Sequence, residues 1–314
     1  MWIVPCLWAG AFLTGASALR TLSADTVSFL RFAVTVAGGA IVLRRPAIAL
    51  VRARPTRQAW IAIVFLALVG GVAYHVLFYL GLSRSEPPIA SVVIATNPML
   101  TALGCALFLR DRRPTRALFA GLVLAFSGAI CLAADHPSLR GSGGSFLARV
   151  VQGWGIGETL CLAASCSWAV FAVSMQRFRS GVLRGLPSVG VTFAVYALTA
   201  IILLPVVLAT GDIGEIPDMS AGQWGCVLYL GLVATVIAYT MYNAAIDRVG
   251  SARVSQVTYA VPTLTMLLSI VFRGFVPAGA TWLGLGLVTV GLVVSDGRVI
   301  AAARSLRSAG PRGP

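Results

Sequence analysis

Long, almost uncharged apolar stretches dominate this chain, and its charged residues lie mainly between them. Of its 314 residues, 58% are hydrophobic and only 11% are charged. A bilayer core about 30 Å thick is crossed by about 20 helical residues, each rising ~1.5 Å. We therefore predict an all-α polytopic membrane protein with ten transmembrane helices, at roughly 2–19, 26–43, 60–82, 89–109, 117–134, 156–175, 189–208, 223–246, 252–271 and 277–295.

The first stretch is interpreted as a retained helix rather than a cleaved signal peptide. Met1 is followed directly by Trp2 and Ile3, so the basic segment of a signal peptide is missing. No small-residue cleavage site stands before a soluble domain. The stretch is short at its N-terminus, which leaves open whether a few residues precede it.

The distribution of arginine predicts the orientation in the membrane. All 24 basic residues are arginine, and the formal net charge is +14. Five arginines lie between spans 2 and 3, four between spans 4 and 5, and three between spans 6 and 7. The positive-inside rule then places both termini and the loops 44–57, 110–116 and 177–184 in the cytoplasm. The placement of the arginines in alternate loops thus indicates a protein embedded in the lipid of the plasma (inner) membrane, with no nucleic-acid partner.

The two halves of the chain resemble each other. "VAYH" at 72–75 matches "IAYT" at 237–240, and "AGLVLAFSGAICL" at 120–132 matches "LGLGLVTVGLVVS" at 283–295. Spans 3-4-5 thus recur as 8-9-10. Because five spans per half is an odd number, the second half enters the membrane from the opposite side. We predict two inverted five-helix repeats, at 1–135 and 155–296.

Two further segments complete this division of the chain. Residues 136–154 are predicted to form an extracytoplasmic linker between the repeats, and residues 297–314 a basic cytoplasmic tail. Inverted repeats are typical of secondary transporters, which bind their substrate near the membrane midplane between the two halves.

Several segments resemble a known family. They are "WAGAFLTGASAL", "SFLRFAV", "NPMLTALGCALFLRDRRPTRALFAGLVLAFSGAICL" and "VPTLTMLLSIVFRG" followed by "WLGLGLVTVGLVV". Together they are similar to the two EamA-type repeats of the drug/metabolite transporter superfamily, over nearly the whole chain. The resemblance implies ten helices, cytoplasmic termini, a central cavity lined by both halves, and export or exchange of small metabolites.

Prolines occur at matching places in the fourth and ninth spans. Pro98 pairs with Pro262, and each is predicted to kink its helix because proline lacks the N–H that an interior helical residue donates. The kinks would free the carbonyls of Ile94 and Thr258. Asn97 would then either line the cavity or bond to a neighbouring helix, and both alternatives stay open.

Polar and aromatic residues within the spans are the candidates for a substrate-binding cavity. Aromatic residues in apolar spans more often pack or lie at the membrane interface than contact a ligand. Tyr74 and Tyr239 are repeat mates, however, and so are Trp8 and Trp168, which adds weight to a shared cavity wall. Thr101 lies on the same helix face as Asn97. The predicted cavity residues are Trp8, Tyr74, His75, Asn97, Thr101, Trp168, Tyr239, Asn243, Gln256 and Tyr259.

Among the ionisable residues within the predicted spans, three bear most on function. His75 is either a proton carrier or a neutral, hydrogen-bonded histidine. Arg31 would cost ~2.5–3.5 kcal/mol at a helix centre, so we expect it to snorkel outward or to pair rather than to contact substrate. Glu158 is expected at the membrane interface, at the outer end of span 6.

Glycines spaced by seven are predicted to form helix-packing faces. Gly121 and Gly128 lie in span 5, and Gly284 and Gly291 occupy the corresponding places in span 10. Small residues two turns apart allow helices to approach each other closely in a membrane.

Some classes of protein are excluded by what the sequence lacks. Without lysine it has no phosphate-binding GxxxxGK[ST] loop, and with two histidines it has no HExxH zinc site. The six cysteines form no CxxC or Cys/His cluster and are expected to pack in the apolar spans. We predict no catalytic residue, no metal and no cofactor. No span carries Asp or Glu near its middle, which argues against a cation exporter of the small multidrug type.

The function that these observations favour is secondary transport. We predict export of small neutral or zwitterionic metabolites, such as amino acids, by alternating access without ATP. Drug efflux or metabolite uptake by the same fold is an alternative, and a polytopic membrane enzyme is an alternative of another class. Coupling to protons, and a monomeric or homodimeric state, are left open.

Overall fold

The computed structural model of the protein describes residues 3–42, 44–109, 116–134, 145, 153–210, 212–249, 260–277 and 279–295. Within these ranges the regular structure is helical and contains no strand. The long helices are α1 (Ile3–Ala18), α2 (Ala24–Val42), α3 (Arg57–Leu82), α4 (Pro87–Leu109), α5 (Arg116–Ala134), α6 (Ile156–Ser180), α7 (Ser188–Thr210), α8 (221–249), α9 (Val261–Arg273) and α10 (Gly279–Ser295).

Six of these helices, α2, α3, α4, α6, α7 and α8, are long and apolar enough to cross a membrane. The described parts of α1, α5, α9 and α10 are shorter apolar helices. The chain is thus an all-helical, multi-pass membrane protein. That all ten helices cross the membrane, as inverted repeats at 1–135 and 155–296, stays a prediction. The start of predicted span 9, most of the 136–154 linker and the 297–314 tail lie outside the described residues.

The predicted loop 44–57 contains a short helix, Arg44–Arg52, that sequence reasoning missed. Leu50 is 2% exposed and packs in an apolar cluster with Leu183 and Val195. The backbone of this helix also approaches α7 closely, because a Cβ at Gly190 would lie 2.5 Å from Pro46 O. Burial of one apolar side chain therefore fixes the first arginine-rich segment against the second half of the chain.

Helices α3 and α8 each contain a π-helical segment, at Ala67–Ala73 and Tyr229–Ile237. These segments were not predicted, and they occupy matching places in the two halves. A π-helical turn forms i→i+5 hydrogen bonds and is frequently found at functional sites. Gly71 in α3 approaches α7, and Gly231 in α8 approaches α2. A Cβ at Gly231 would lie 2.9 Å from Arg31 O.

Side chains from the opposite half of the chain bond to the carbonyls of both π segments. Ser167 Oγ in α6 donates to Val69 O in α3 over 2.9 Å. Thr35 Oγ1 in α2 donates to Gly231 O in α8 over 3.1 Å. A carbonyl in the middle of a membrane-spanning helix normally accepts only from its own helix. The two π segments are therefore points at which the halves are hydrogen-bonded to each other.

Helices α5 and α10 cross in close contact at glycines. A Cβ at Gly128 would lie 2.5 Å from Gly284 O, and a Cβ at Gly291 would lie 2.6 Å from Gly121 O. The contact is reciprocal, since each helix presents one glycine to a backbone carbonyl of the other. The four glycines predicted as packing faces thus lie at the α5–α10 crossing.

The two halves also meet at the end of the bundle that is predicted to be extracytoplasmic. Glu215 Oε2 accepts from Ser23 N over 2.9 Å, in the turn between α1 and α2. Gln223 Nε2, in the first turn of α8, donates to Thr21 Oγ1 over 2.5 Å. Buried apolar residues of both halves, among them Leu82 in α3, pack in one cluster toward the same end.

Glu158 corrects an expectation from the sequence. It is only 2% exposed rather than interfacial, and its carboxylate accepts two hydrogen bonds. Ser85 Oγ donates to Oε1 over 2.6 Å, and Gly155 N donates to Oε2 over 2.9 Å. The second bond satisfies a backbone donor at the start of α6, as a capping carboxylate does. Close packing of α3 on α6, at Gly81 and Gly157, buries the group.

Candidate substrate cavity

A cavity of about 350 Å³ lies between the two halves of the chain. Helices α1 to α4 contribute side chains from the first half, and α6, α8, α9 and α10 contribute side chains from the second. Its lining is mostly aromatic and apolar, with one arginine, one histidine and a few neutral polar groups. The residues are Trp8, Ala11, Phe12, Arg31, Tyr74, His75, Phe78, Ser91, Ile94, Ala95, Asn97, Pro98, Thr101, Trp168, Tyr239, Tyr242, Val261, Pro262 and Leu292.

Two aromatic pairs form opposite parts of the cavity wall, each with one ring from either half. The centroids of Trp8 and Tyr239 lie 5.4 Å apart with the rings inclined at 56°. Those of Tyr74 and Trp168 lie 5.0 Å apart at 52°. Tilted rings at this separation are the arrangement that aromatic quadrupoles favour. The repeat mates therefore occupy equivalent places in two contacts that each join the halves.

Helix α4 is interrupted where the sequence predicted a kink. One α-helical segment ends at Ile94, a turn at Ala95 and Thr96 follows, and a second segment begins at Asn97. Pro98 lies in the first turn of the second segment, where its missing N–H costs no hydrogen bond. The proline thus starts a new helical segment rather than bending a continuous one.

The carbonyl that gains side-chain donors at this break is that of Val93, one residue before the predicted Ile94. Thr96 Oγ1 donates to Val93 O over 2.7 Å, and Ser165 Oγ of α6 donates to it over 3.3 Å. The shift arises because the helix already leaves its regular path at Ala95, ahead of the proline. Part of the broken helix is therefore bonded to the second half of the chain.

Helix α9 begins in the same way as the second segment of α4. Its first residue is Val261, its second is Pro262, and the preceding Ala260 has φ −76° and ψ −15°. Thr96, before the corresponding segment of α4, has φ −70° and ψ −15°. Both helical starts border the cavity. The predicted release of the Thr258 carbonyl lies outside the described residues.

Asn97 and Thr101 present two unused polar atoms at the cavity. Asn97 Oδ1 and Thr101 Oγ1 are buried and have no hydrogen-bond partner among the residues that the structure describes. Both residues line the cavity, four positions apart on one helix face. The Asn97 side chain interacts with the Tyr74 hydroxyl. Among the described residues both acceptors are thus unpaired at the cavity wall, but each atom has almost no accessible surface, so its side chain must rotate before a ligand donor can reach it.

Arg31 was expected to snorkel outward or to pair, and the structure contradicts the first alternative, because Arg31 lines the cavity. It is 8% exposed, and its side chain lies inside the helix bundle. Its Nε donates to Thr235 Oγ1 over 3.1 Å, and its Nη1 donates to Tyr79 Oη over 3.0 Å. Hydrogen bonds to Thr235 and Tyr79 replace part of the hydration that snorkelling would have supplied.

No described carboxylate balances the Arg31 charge. The ionisable groups that act on it are the phenols of Tyr74, Tyr79 and Tyr239, and no Asp or Glu is among the described cavity residues. A guanidinium has five N–H donors and stays protonated in proteins. The two bonds to Thr235 and Tyr79 leave donors over, so the cavity carries a positive charge with room for an anionic partner.

His75 lies beside this charge on α3 and is 6% exposed. Its Nδ1 is 2.9 Å from Gly71 O, within the π segment, which assigns the Nδ1 proton to that bond. The imidazole packs edge-on against Phe32, at 4.6 Å between centroids, and against Tyr74, at 4.7 Å. The geometry suits either interpretation of His75, as a packed neutral histidine or as a group that exchanges protons at the cavity.

The structure brings together seven of the ten residues predicted for a cavity, and these are Trp8, Tyr74, His75, Asn97, Thr101, Trp168 and Tyr239. The Asn243 side chain and the whole of Gln256 and Tyr259 lie outside what the structure describes. Sequence reasoning missed Arg31, Phe12, Phe78, Ser91 and Tyr242. For Arg31 the available signal was its depth, since the other arginines lie at or beyond the ends of the predicted spans.

A metal centre finds no support in the described part of the chain, where no three His, Cys, Asp or Glu side chains come together. The cavity itself offers one imidazole and no described carboxylate or thiol. Its chemistry is that of binding: one cation, neutral acceptors and aromatic surface.

Comparisons with known proteins agree with this geometry. The sequence profile of the EamA-like transporter family matches residues 1–134 and 155–295. An aromatic amino acid exporter, YddG of Ancylobacter novellus, is 28% identical over 286 residues, 88% of this chain and 91% of the relative. A probable terminal-alkyne amino-acid exporter of Streptantibioticus cattleyicolor is 26% identical over 313 residues, 97% of this chain and 95% of the relative.

Other similar proteins carry less specific names. The uncharacterized transporter YyaM of Bacillus subtilis is 24% identical over 242 residues, covering 76% of this chain and 75% of its own. A solved crystal structure superposes on this chain with a TM-score of 0.63 at 22% identity, over 97% of this chain and 96% of the other. That likeness concerns the fold alone.

Proposed function

Because the chain belongs to the EamA-like transporter family, we propose that it is a secondary transporter that exports small zwitterionic metabolites, amino acids or related compounds, by alternating access. ATP is not required, since the sequence has no phosphate-binding loop with its lysine. The cavity between the halves is the binding site. Both halves line it, which is the arrangement that a transporter needs to expose one site to either side in turn.

The observation that carries this proposal is the unbalanced charge of Arg31 in the cavity. A buried cation without a counter-ion is costly, and a ligand that supplies a carboxylate removes that cost. Guanidinium groups bind carboxylates through two parallel hydrogen bonds. Substrates with a carboxylate are therefore favoured over neutral drugs and over organic cations.

The size of the cavity favours a metabolite over a larger drug. Small-molecule sites range from about 300 to 1,000 Å³, and this one, at about 350 Å³, lies near the lower end. Two of the similar proteins are named as amino-acid exporters, and these names support the same substrate class. Drug efflux is the weaker alternative for the same fold. Uptake uses the same site and differs only in the direction of net flux.

A membrane enzyme is a poorer fit to the cavity. General acid–base and nucleophilic catalysis require a nucleophile and a base within hydrogen-bond reach of each other. His75 is the only described histidine of the cavity, and its Nδ1 is engaged by Gly71 O. We infer that the protein moves its substrate without changing it chemically.

The proposal includes the orientation derived from the arginine distribution. Both termini and the arginine-rich loops lie in the cytoplasm, the protein resides in the plasma membrane, and the two halves are inverted repeats. Export then starts from a site that is open to the cytoplasm.

Flux from proteoliposomes tests this function. Purified protein is reconstituted, the vesicles are loaded with a radiolabelled amino acid, and efflux is followed with no nucleotide present. We expect efflux that saturates with substrate and exceeds that of protein-free vesicles. The variant Arg84→Gln removes an exposed arginine outside the cavity and should keep the wild-type efflux. Efflux that requires ATP, or none above background for any amino acid, would contradict the proposal.

A further inference from the structure

We infer that the cavity binds the two charged ends of an α-amino acid at separate places: Arg31 binds the carboxylate, and Asn97 together with Thr101 binds the ammonium group. This inference rests on the proposed function and adds to it the residues that define the substrate class. It follows from the positions of unused hydrogen-bonding groups in one cavity.

The carboxylate site follows from how Arg31 is held. Thr235 Oγ1 accepts from Nε at 3.1 Å and itself donates to Leu230 O at 2.8 Å, so its orientation is fixed. Tyr79 Oη accepts from Nη1 at 3.0 Å, and the Tyr79 side chain is fully buried. The guanidinium is thus anchored from two sides by neutral acceptors. Its remaining donors border the cavity and match the two oxygens of a carboxylate.

The ammonium site follows from the two acceptors without partners. An ammonium group has three N–H donors and no acceptor. Asn97 Oδ1 and Thr101 Oγ1 are buried acceptors that find no donor in the described residues, and they lie on one face of α4. A buried acceptor left unpaired is unfavourable, so a donor from the ligand is stabilising once the Asn97 and Thr101 side chains rotate to expose these two atoms to the cavity.

The two places exclude compounds that carry only one of the two groups. A carboxylate without an amine leaves the acceptors of α4 unpaired. An amine without a carboxylate adds a second positive charge to a cavity in which Arg31 is not neutralised. A site whose buried polar groups bond to the substrate strongly rejects an analogue that lacks the matching group, because the polar groups of the site are then left unpaired.

The remainder of the substrate lies against aromatic surface. The pairs Trp8–Tyr239 and Tyr74–Trp168 offer ring faces and edges within the same cavity. An aromatic or bulky apolar side chain gains most from such walls. Phenylalanine is therefore a suitable probe, together with two analogues that each lack one charged end.

The test measures the binding of three probes to the purified full-length chain in detergent, by calorimetry. The probes are phenylalanine, phenylalaninamide, which lacks the carboxylate, and 3-phenylpropionate, which lacks the amine. We expect the wild-type chain to bind phenylalanine at least about tenfold more tightly than either analogue, since each charge-assisted pair contributes about that factor.

The variants separate the two ends of the ligand. Arg31→Gln should weaken phenylalanine binding at least about tenfold and abolish the preference over phenylalaninamide, while the preference over 3-phenylpropionate persists. Asn97→Ala should also weaken phenylalanine binding, but it should abolish the preference over 3-phenylpropionate while the preference over phenylalaninamide persists. Arg31→Lys keeps the charge and should retain part of the preference for phenylalanine over the amide, which guards against a variant that does not fold.

Two controls remove similar groups away from the cavity. Arg84→Gln removes an exposed arginine, and Ser269→Ala removes a buried hydroxyl that has no partner among the described residues and does not line the cavity. Both should keep the wild-type order of the three probes.

The outcomes distinguish this inference from the proposed function. If Arg31→Gln weakens all three probes equally, Arg31 is structural and the inference is wrong, and amino-acid transport then stands only if efflux from the proteoliposomes is observed. If the wild-type chain binds 3-phenylpropionate as tightly as phenylalanine, the ammonium site is wrong. If it binds none of the probes, and no amino acid leaves the proteoliposomes, the proposed function fails with it.

Discussion

The ring centroids of Trp8 and Tyr239 lie 5.4 Å apart, and this contact joins α1 of the first half to α8 of the second half. The equivalent contact, between Trp168 and Tyr74, has nearly the same distance and inclination. The two pairs of repeat mates read from the sequence, Trp8 with Trp168 and Tyr74 with Tyr239, thus supply two equivalent contacts between the halves. The symmetry is incomplete, because Trp8 Nε1 also donates to Ala234 O over 3.2 Å.

Truncating either tryptophan should weaken substrate binding. Trp168→Ala and Trp8→Ala each remove one ring of an aromatic pair, which is worth about 0.5–1.5 kcal/mol beyond the area that it buries. We expect phenylalanine affinity to fall about tenfold in each, measured by calorimetry. Trp8→Phe keeps a ring and should lose less. Trp282→Ala is the control, since Trp282 is 46% exposed on α10 and does not line the cavity. An equal loss in the control would assign the effect to general destabilisation.

The π segment of α8 should tolerate no side chain at Gly231. A Cβ there would lie 2.6 Å from Val34 Cγ1 and 2.9 Å from Arg31 O, and the backbone oxygen has little freedom to move. Gly231→Ala is therefore expected to destabilise the protein by about 1–3 kcal/mol, as overpacking does. The measurement is the thermal unfolding temperature in detergent.

Gly225 provides the matched control in the same helix. No atom lies within 4 Å of a Cβ at Gly225, and alanine is about 1 kcal/mol more favourable than glycine within a helix. Gly225→Ala should leave the unfolding temperature unchanged or raise it. If both variants unfold at the wild-type temperature, the close approach of α8 to α2 is not a constraint.

Accessible cysteines should report the orientation. In a background whose six native cysteines are replaced, a cysteine at Asp218 should react with an impermeant reagent added to intact cells, and one at Arg54 should react only after lysis. The reason is the arginine bias of alternate loops, which sets orientation during insertion. The reverse labelling pattern would overturn the inverted-repeat interpretation.

Replacing His75 should change how transport depends on pH. His75 borders the cavity, and an imidazole is the side chain whose ordinary pKa lies between about pH 5 and 8. If transport is coupled to protons and His75 carries them, the pH profile of phenylalanine efflux over that range should flatten in His75→Gln, while phenylalanine affinity is largely kept. An unchanged profile would exclude His75 from any proton coupling.

Hydropathy located the helices because burial in lipid requires a minimum length of apolar chain. The predicted spans 60–82 and 89–109 correspond to Arg57–Leu82 and Pro87–Leu109. The π segments left no trace in that pattern, since a change in hydrogen-bond register does not alter composition. Gly70 and Gly71, adjacent in the middle of α3, were a visible sign of close approach, and their meaning became clear only with the contacting helix.

The candidate site was predicted in part for a similar reason. Repeat symmetry pointed to Trp8, Tyr74, Trp168 and Tyr239, because equivalent residues of two halves that line one cavity occupy equivalent places in its wall. The cost of an arginine in lipid predicted that Arg31 either snorkels outward or pairs, and so kept it out of the predicted cavity. That estimate assumed an isolated helix in lipid, whereas the actual neighbours, such as Tyr79, come from helices distant in sequence.

The guanidinium of Arg31, which no described carboxylate neutralises, also gives the protein an electrical property. A transmembrane voltage of 100 mV changes the energy of one elementary charge by about 2.3 kcal/mol across the full membrane. In the proposed alternating cycle, water reaches the site first from one face and then from the other, and the fraction of the voltage that Arg31 senses changes. A zwitterion adds no net charge, so the charge displaced with substrate bound returns when the empty site resets, and a complete cycle passes no net current. A voltage step should nevertheless produce a transient displacement current, even in protein that has no substrate to carry.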